Sequence, residues 1–430
     1  MASAQTWNNC LDYVALTDVG MRRANNQDAH AEVLAPDSDQ WFRRGHLFVV
    51  CDGMGAHAAG ELASEMAAEG IPHMYLKFRD LPAADALKKS IEEVNSQIHN
   101  RGQANPDFQG MGTTASALLL LPQGALVAHV GDSRVYRLRD KCLEQLTFDH
   151  SLVWEMSAAG QLPKNALPGF VPKNIITRSL GPHADVKVDL EGPYPLEAGD
   201  KFLLCSDGLS GQVQDVEIGA LLQCLSPADA AQVLIDLANL RGGPDNVTVS
   251  IVHVKTPALT PAAGWQAPPL TLSPEPKTPA PAASTNNTLW IAAGAGLIIA
   301  AALGAIQLTI PALVALVVSG ALALIGVLQR ISPPPPDVRY LPAGARLGAG
   351  PHTCIDIQPN EQLVRDLVSM IEQLREAAAE EHWSVDWDQF NKHNLQGKQA
   401  LEAKDFSQAI CEYATALRFM MNQLRSQQVR

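Results

Sequence analysis

A chain of 430 residues exceeds what one hydrophobic core usually organises, so two or more folded units are expected. With 32 Lys and Arg against 45 Asp and Glu, a formal charge of −13, it lacks the basic surface that phosphate backbones require, which excludes DNA or RNA as a partner. Its 7 cysteines are scattered, with no zinc-knuckle or dithiol spacing, and read as reduced, mostly buried thiols of a cytosolic protein.

The polar start, Met1 to Asn9, has neither the basic nor the apolar part of a secretory signal, so the first unit is expected in the cytoplasm. From Leu11 to about Val254, short apolar or β-branched runs alternate with helical stretches and Gly or Pro punctuation, as in a mixed α and β domain. Strands are expected at Tyr13–Thr17, His46–Cys51, Thr114–Leu121, Ala125–Val130, Arg134–Arg139, Lys201–Cys205 and Val247–Val254. Helices are expected at Ala58–Phe78, Ala83–Arg101, Ser151–Ala159, Asp215–Cys224 and Pro227–Leu240. The short connections Leu121–Gly124 and Gly131–Ser133 suit antiparallel meanders.

The first domain therefore spans residues 1–256, and residues 257–287, rich in Pro, Ala, Ser and Thr, read as an extended linker. No residue from Thr278 to Gln329 is charged, and the apolar stretch Thr288–Leu328 is about twice the ~20 residues that cross a bilayer. Residues 288–331 are thus expected to form a transmembrane hairpin turning at Gln307–Pro311, with a single span or a buried soluble helix pair as the alternatives. Lys277 before it and Arg330, Arg339 and Arg346 after it place both flanks in the cytoplasm, making a multi-pass protein of the cytoplasmic (inner) membrane.

Residues 332–358 form a stiff spacer containing Pro333–Pro336. Residues 359–430 are helical by pattern, with Leu363, Leu367, Met370, Ile371 and Leu374 on one stripe. Two further helices meet near Lys404-Asp405, where Gly397, Ala400, Phe406, Ala409, Ile410, Tyr413, Ala416 and Leu417 resemble one tetratricopeptide unit. Such a unit is either a surface for a protein partner or a plain helical hairpin.

Chemistry concentrates in the first domain. Asp52, Asp132 and Asp207 each end an apolar run, Asp28 follows Arg23-Ala24-Asn25-Asn26-Gln27, and Asp245 precedes Asn246. An aspartate that ends a buried strand beside glycine presents its carboxylate at a sheet edge. Several converging carboxylates repel one another unless a hard cation neutralises them, which implies a Mg²⁺ or Mn²⁺ site. Taken singly, each Asp-Gly is an ordinary turn; the combination is what carries the inference.

In chain order, Gly20-x-x-Arg23-x-x-Asn26-x-Asp28, Asp52-Gly53-Met54-Gly55-x-His57, Gly112-Thr113-Thr114, Gly131-Asp132-Ser133-Arg134, Leu146-Thr147-x-Asp149-His150, Ile176-Thr177-Arg178-x-Leu180-Gly181, Ser206-Asp207-Gly208-Leu209 and Asp245-Asn246-Val247-Thr248 resemble the successive signatures of the type 2C, or PPM, metal-dependent serine/threonine protein phosphatases in their bacterial form. The resemblance implies an α+β fold, a four-layer α-β-β-α sandwich of two antiparallel sheets flanked by helices, here followed by the transmembrane hairpin and a small α-helical C-terminal region. It also implies two Mn²⁺ or Mg²⁺ ions and a weaker third. Asp52 would bridge the pair, the Gly53 carbonyl would complete one ion, Asp207 and Asp245 would join Asp52 on the first, and Asp28 would serve the second or its waters. Asp132, with Asp207, resembles the third site.

The reaction this implies is direct attack of metal-bridged hydroxide on the phosphorus of phosphoserine or phosphothreonine. Arg23 would clamp the phosphate through its planar fork, and His57 would protonate the departing oxygen. Asp149 reads as the N-cap of a helix start, and residues 151–174 resemble the family's mobile flap. One departure is Ala56, where the family usually has a second glycine before the histidine. The implied partners are phosphoprotein substrates, a counteracting serine/threonine kinase, and the membrane. The alternative reading is a membrane scaffold or sensor that recruits a protein through the C-terminal helices.

Overall fold

The computed structural model describes residues 10–55, 58–160, 175–255, 268–273, 288–306, 308–331, 339–342 and 344–428. The expectations for the linker, for Pro333–Pro336 and for His57 fall wholly or largely outside these residues. Two compact units are present: one joins residues 1–270 with 341–430, the other is 271–340.

The first unit is built on two antiparallel sheets. One has the order β1 (Leu11–Asp18), β11 (Val247–Val254), β10 (Lys201–Cys205), β7 (Arg134–Arg139), β8 (Cys142–Gln145) and β14 (Thr353–Asp356). The other runs β2 (Asp28–Val33), β3 (His46–Met54), β5 (Ala115–Leu121), β6 (Gly124–Val130) and β9 (Asp189–Tyr194), with the short β4 (Gly112–Thr113) beside the end of β3. Successive strand residues point to opposite faces, and β10 shows the consequence. Its Phe202 and Leu204 join Phe48, Val50, Leu118, Val127 and Val252 between the sheets. Its Leu203 and Cys205 face the other way, into a second core with Val249 and Ile251.

Helices α2 (Ala59–Lys77) and α3 (Ala83–Ala104) cover the β2–β9 sheet, and α6 (Asp215–Cys224) and α7 (Pro227–Leu240) cover the other, giving the expected four layers. Local chemistry sets their starts: a capping box of Gln214 and Glu217 begins α6, and Ser226 with Pro227 at the first helical position begins α7. Shorter helices α1 (Ser38–Arg44), α4 (Leu152–Ala158) and α5 (Asp207–Ser210) sit in connections.

The C-terminal segment belongs to the same unit. Strand β14 extends the first sheet by pairing with β8, and Ile357, fully buried, enters the core beside Gly219 of α6. Burying one such side chain stabilises by about 1.5–3 kcal/mol. Helices α10 (Glu361–Glu380), α11 (Trp387–Glu402) and α12 (Phe406–Gln428) follow. The α10 stripe Leu363, Leu367, Ile371 and Leu374 is buried in one continuous core with Leu221 and Leu222 of α6 and Val233 and Leu237 of α7. Gly397 of α11 lies against the Tyr413 ring of α12, where a Cβ would collide, so the small residue does permit close helix approach. Arg418 and Arg425, one heptad apart on α12, pair with Asp229 and Asp236, one heptad apart on α7. Pairing of β14 with β8 also brings Cys142 and Cys354, 212 residues apart, into a disulfide with Cα atoms 6.1 Å apart, which corrects the all-thiol expectation.

The second unit comprises the two-residue strands β12 (Thr271–Leu272) and β13 (Arg339–Tyr340), paired with each other, and helices α8 (Thr288–Ala305) and α9 (Thr309–Ile331), packed together. Helix α8 ends at Ala305 and α9 already begins at Thr309, so Thr309–Pro311 of the expected turn are helical, and the transmembrane assignment is corrected. Among the described residues no helix is long and apolar enough to cross a membrane, which overturns both the transmembrane hairpin and the multi-pass localisation at the cytoplasmic membrane. The charge-free run that suggested them is real. Once it is divided, however, neither described helix meets the length and apolarity of a span.

Candidate active site

The layer between the sheets is apolar at its centre and turns polar at one edge, where aspartates from both sheets meet. Asp28 opens β2 and stands directly opposite Asp52 of β3 in the ladder. From the other sheet, Asp207 follows β10 at the start of α5, and Asp245 precedes β11, the strand paired with β10. Like charges placed opposite on adjacent strands destabilise a sheet, so the arrangement is costly unless something positive joins it.

Hydroxyls from one sheet hold the carboxylate of the other. Ser206 Oγ and Thr248 Oγ1 each donate to Asp28 Oδ2 at 2.7 Å. Thr248 points inward because it shares a strand face with Ser250 and Val252. Burial pushes the Asp28 carboxyl up to about 7, against the two hydroxyls that lower it, with the Asp207 and Asp245 charges adding to the rise. Asp52 is raised well above the usual carboxylate range, first by burial and then by Asp28 and Asp207. Asp207 is raised by burial and by Asp245.

Asp132 sits in the β6–β7 turn. Its carboxyl is pushed up to about 7 by burial and then by Asp207 and Asp149, so the charge field links it to the same cluster. The turn is fixed by His150, whose N–H donates to the Gly131 carbonyl at 2.7 Å while its Nδ1 accepts from Gly131 N–H at 2.9 Å. Asp149 is not a helix cap, contrary to expectation. It accepts from Arg134 Nε at 2.9 Å and from Gln145 Nε2 at 2.7 Å, and Ser151 caps α4 instead.

Gly53 shows why only glycine serves after Asp52: a Cβ there would collide with the Gly60 and Gln27 carbonyls, where β3 runs against the start of α2. Arg23 Nη2 donates to Asp245 Oδ2 at 2.7 Å, so the expected phosphate clamp reaches the carboxylate cluster. Asn246 holds that loop in place: its Oδ1 accepts from Gln27 N–H at 2.8 Å, and its Nδ2 donates to the Val19 and Asn25 carbonyls. Of the expected site residues, Asp28, Asp52, Gly53, Asp132, Asp207, Asp245 and Arg23 thus share one edge of the sandwich, while His57 lies outside the described residues.

Asp28 Oδ1, Asp132 Oδ1 and Asp207 Oδ1 are buried without a hydrogen-bond partner among the described residues. Orphaned carboxylate oxygens of this kind are the donors a hard divalent cation takes. Among the described residues no three acidic, His or Cys groups close to ligand distance about a single point. The three orphaned oxygens, and the like charges that raise Asp28, Asp52 and Asp207 together, are what such a cation would relieve. The donor set fits the ions.

The sequence places Ser206, Thr248, Asn246 and Thr114 inside recognisable motifs without revealing their work. Thr114 Oγ1, for example, accepts the Asp52 backbone N–H at 2.9 Å and fixes the strand at the point where the carboxylate emerges.

The family model described as protein phosphatase 2C matches residues 21–238, half of the chain. The chain belongs to the protein phosphatase 2C family. A putative protein phosphatase 2C-type of Streptococcus pyogenes is 40% identical over 241 residues, covering 55% of this chain and 95% of that one. Two solved structures agree. The S. agalactiae serine/threonine phosphatase matches with a TM-score of 0.50 and 38% identity, over 57% of this chain and 100% of that chain. The Mycobacterium tuberculosis serine/threonine phosphatase PstP/Ppp matches with a TM-score of 0.50 and 36% identity, over 57% and 99%. This protein phosphatase 2C is accordingly a phosphoric monoester hydrolase acting on phosphoserine and phosphothreonine of proteins, and the family works with two Mn²⁺ or Mg²⁺ ions. The family model ends at residue 238, so α8–α12 lie beyond it.

Proposed function

We propose that the aspartate edge is the catalytic centre of this phosphatase: Asp52, Asp207, Asp245, Asp28 and the Gly53 carbonyl would hold two divalent ions, and Asp132 with Asp207 would offer a weaker third position. The observation that carries this reading is the convergence of carboxylates from two sheets with three buried, unpartnered oxygens among them. When bound, the ions neutralise phosphate charge and make water available as hydroxide near neutral pH.

The chain's own groups do the rest. Ser206 and Thr248 orient Asp28 so that its second oxygen faces the cluster. Thr114 and the Gly53 contact hold the end of β3 rigid. Arg23, now on Asp245, is within reach to fork onto a phosphate dianion at the same edge. His57 is the proposed general acid for the leaving seryl or threonyl oxygen. In the cell the reaction would reverse the work of a serine/threonine kinase.

The test uses purified full-length protein and a phosphothreonine peptide. Hydrolysis should require Mn²⁺ or Mg²⁺ and vanish in Asp52→Asn and Asp207→Asn. Full activity of both variants, or activity in excess chelator, would remove the aspartate edge from the mechanism.

A further inference from the structure

The segment from Leu347 to Ile357 spans the outer edges of both sheets. Leu347 bridges to Gly192 in β9, and β14 pairs with β8. Between these anchors lies His352, which makes three contacts. Its N–H donates to the Gln145 carbonyl at 2.8 Å, its Nε2 lies 3.2 Å from Glu191 Oε1, and its ring meets Phe148 edge-on with centroids 5.5 Å apart. Glu191 is only 5% exposed, so its carboxylate is a firm backing for the imidazole.

From Phe148 the contacts run on toward the catalytic edge. Phe148 meets Trp154 of α4 edge-on at 5.9 Å, and the Arg134 guanidinium lies over the Trp154 ring at 5.4 Å. Arg134 is two residues from Asp132, and its charge acts on both Asp132 and Asp207. Helix α4 has no fully buried residue, and among the described residues this aromatic stack and its links to residues 175–177 are contacts that fix its position.

We propose that His352 is a positioning residue for substrate specificity: through Phe148 and Trp154 it holds α4 as a fixed wall on the Asp132 side of the cleft, against which the peptide flanking the phosphorylated residue rests. The proposal rests on the phosphatase reading of the aspartate edge. A phosphomonoester with no flanking chain does not reach such a wall, so its hydrolysis is indifferent to His352. The C-terminal segment, outside the family-matched region, thereby takes part in substrate selection.

The experiment compares full-length wild type, His352→Ala, His352→Phe and His352→Gln on p-nitrophenyl phosphate and on a phosphothreonine peptide, with Mn²⁺. The Phe variant keeps the ring on Phe148, while the Gln variant keeps a donor for Glu191 and loses the ring. In Ala and Gln, KM for the peptide should rise about three- to tenfold, the scale of one aromatic pair, with kcat and p-nitrophenyl phosphate hydrolysis within about twofold of wild type. Phe should restore the peptide KM. Equal losses on both substrates, an unchanged peptide KM in Ala and Gln, or rescue by Gln and not Phe would each overturn the proposal. Should Ala unseat the segment, the Phe and Gln pair decides alone. A wild type that hydrolyses neither substrate overturns the phosphatase reading, and this proposal with it.

Discussion

Two sets of buried aspartates in one compact unit behave differently. Asp28 and Asp236 are both largely withdrawn from water, and burial pushes their carboxyls up to about 7 and about 6 respectively. Asp236 has a counter-charge, Arg425 at 2.6 Å from α12. Asp28 has two hydroxyls, and otherwise Asp52, Asp207 and Asp245 around it. The arginine beside the buried aspartate on α7, set against the crowded carboxylates on β2 and β3, supports the proposal that a cation from outside completes the second site. The α7–α12 pairs hold structure together; on the proposed reading, the aspartate edge sacrifices stability for chemistry.

The sharpest way to break this comparison is Asp52→Asn. If Asp52 is the shared ligand, kcat for a phosphopeptide falls by about 10²–10³-fold or more, the scale of removing one preorganised electrostatic group. The metal-free protein should at the same time melt higher than metal-free wild type, because one repelling charge has gone. A lower melting temperature would mean that Asp52 is structurally paired after all.

The opposite response is expected at the other aspartate. Arg425→Ala leaves Asp236 buried without its partner and should lower unfolding free energy by about 3 kcal/mol, the lower end for a broken buried pair because Arg425 is partly exposed. A pH signature follows. The folded-state carboxyl of Asp236, near 6, lies above its unfolded value of about 4, so the folded form binds the proton more tightly across that window. Its contribution is therefore best below about pH 4 and declines as pH rises through about 6. Arg425 opposes that decline, and in Arg425→Ala the loss should extend to higher pH in urea melts.

Arg23→Ala should reduce kcat/KM by about 10–100-fold, as expected for a lost charge-assisted hydrogen bond of roughly 1.5–3 kcal/mol, without altering melting appreciably. Ser206→Ala removes a single donor to Asp28 and should weaken Mn²⁺ binding by about fivefold in calorimetry, the scale of one ordinary hydrogen bond near 1 kcal/mol. Unchanged Mn²⁺ affinity there would place Asp28 outside the ion site.

What could be read from sequence follows the same division. Strands made of short apolar or β-branched runs, such as Lys201–Cys205 and Val247–Val254, and helices with their own start signals, such as Asp215–Cys224 and Pro227–Leu240, lie where local pattern puts them. Asp207, just after the first of these strands, and Asp245, just before the second, are legible for the same reason. By contrast, β9, which contains Gly192 and Pro193, and β2, whose Asp28–Val33 mixes charged and small residues, carry little strand signal of their own and are set by their neighbours.

Strand β14 depends on β8, more than two hundred residues earlier, and no local pattern announces that. The stripe on α10 signals that something covers it, and only the structure names α6 and α7. Asp149 was misread because Ser, Thr and Asp before a helix all look like caps; the arginine that claims Asp149 comes from a different strand. The charge-free run at 278–329 suggests membrane spans because hydropathy weighs composition alone, whereas among the described residues no helix is long and apolar enough to cross a membrane.

The central claim, that the aspartate edge is a two-ion phosphatase site, is tested most directly by titrating metal-stripped full-length protein with Mn²⁺ while following heat and phosphothreonine-peptide hydrolysis together. The account predicts two ions bound at the high-affinity level, with hydrolysis appearing only as they load, and neither event in Asp52→Asn. Hydrolysis at full rate before any ion binds, or undiminished Mn²⁺ binding in Asp52→Asn, would contradict it.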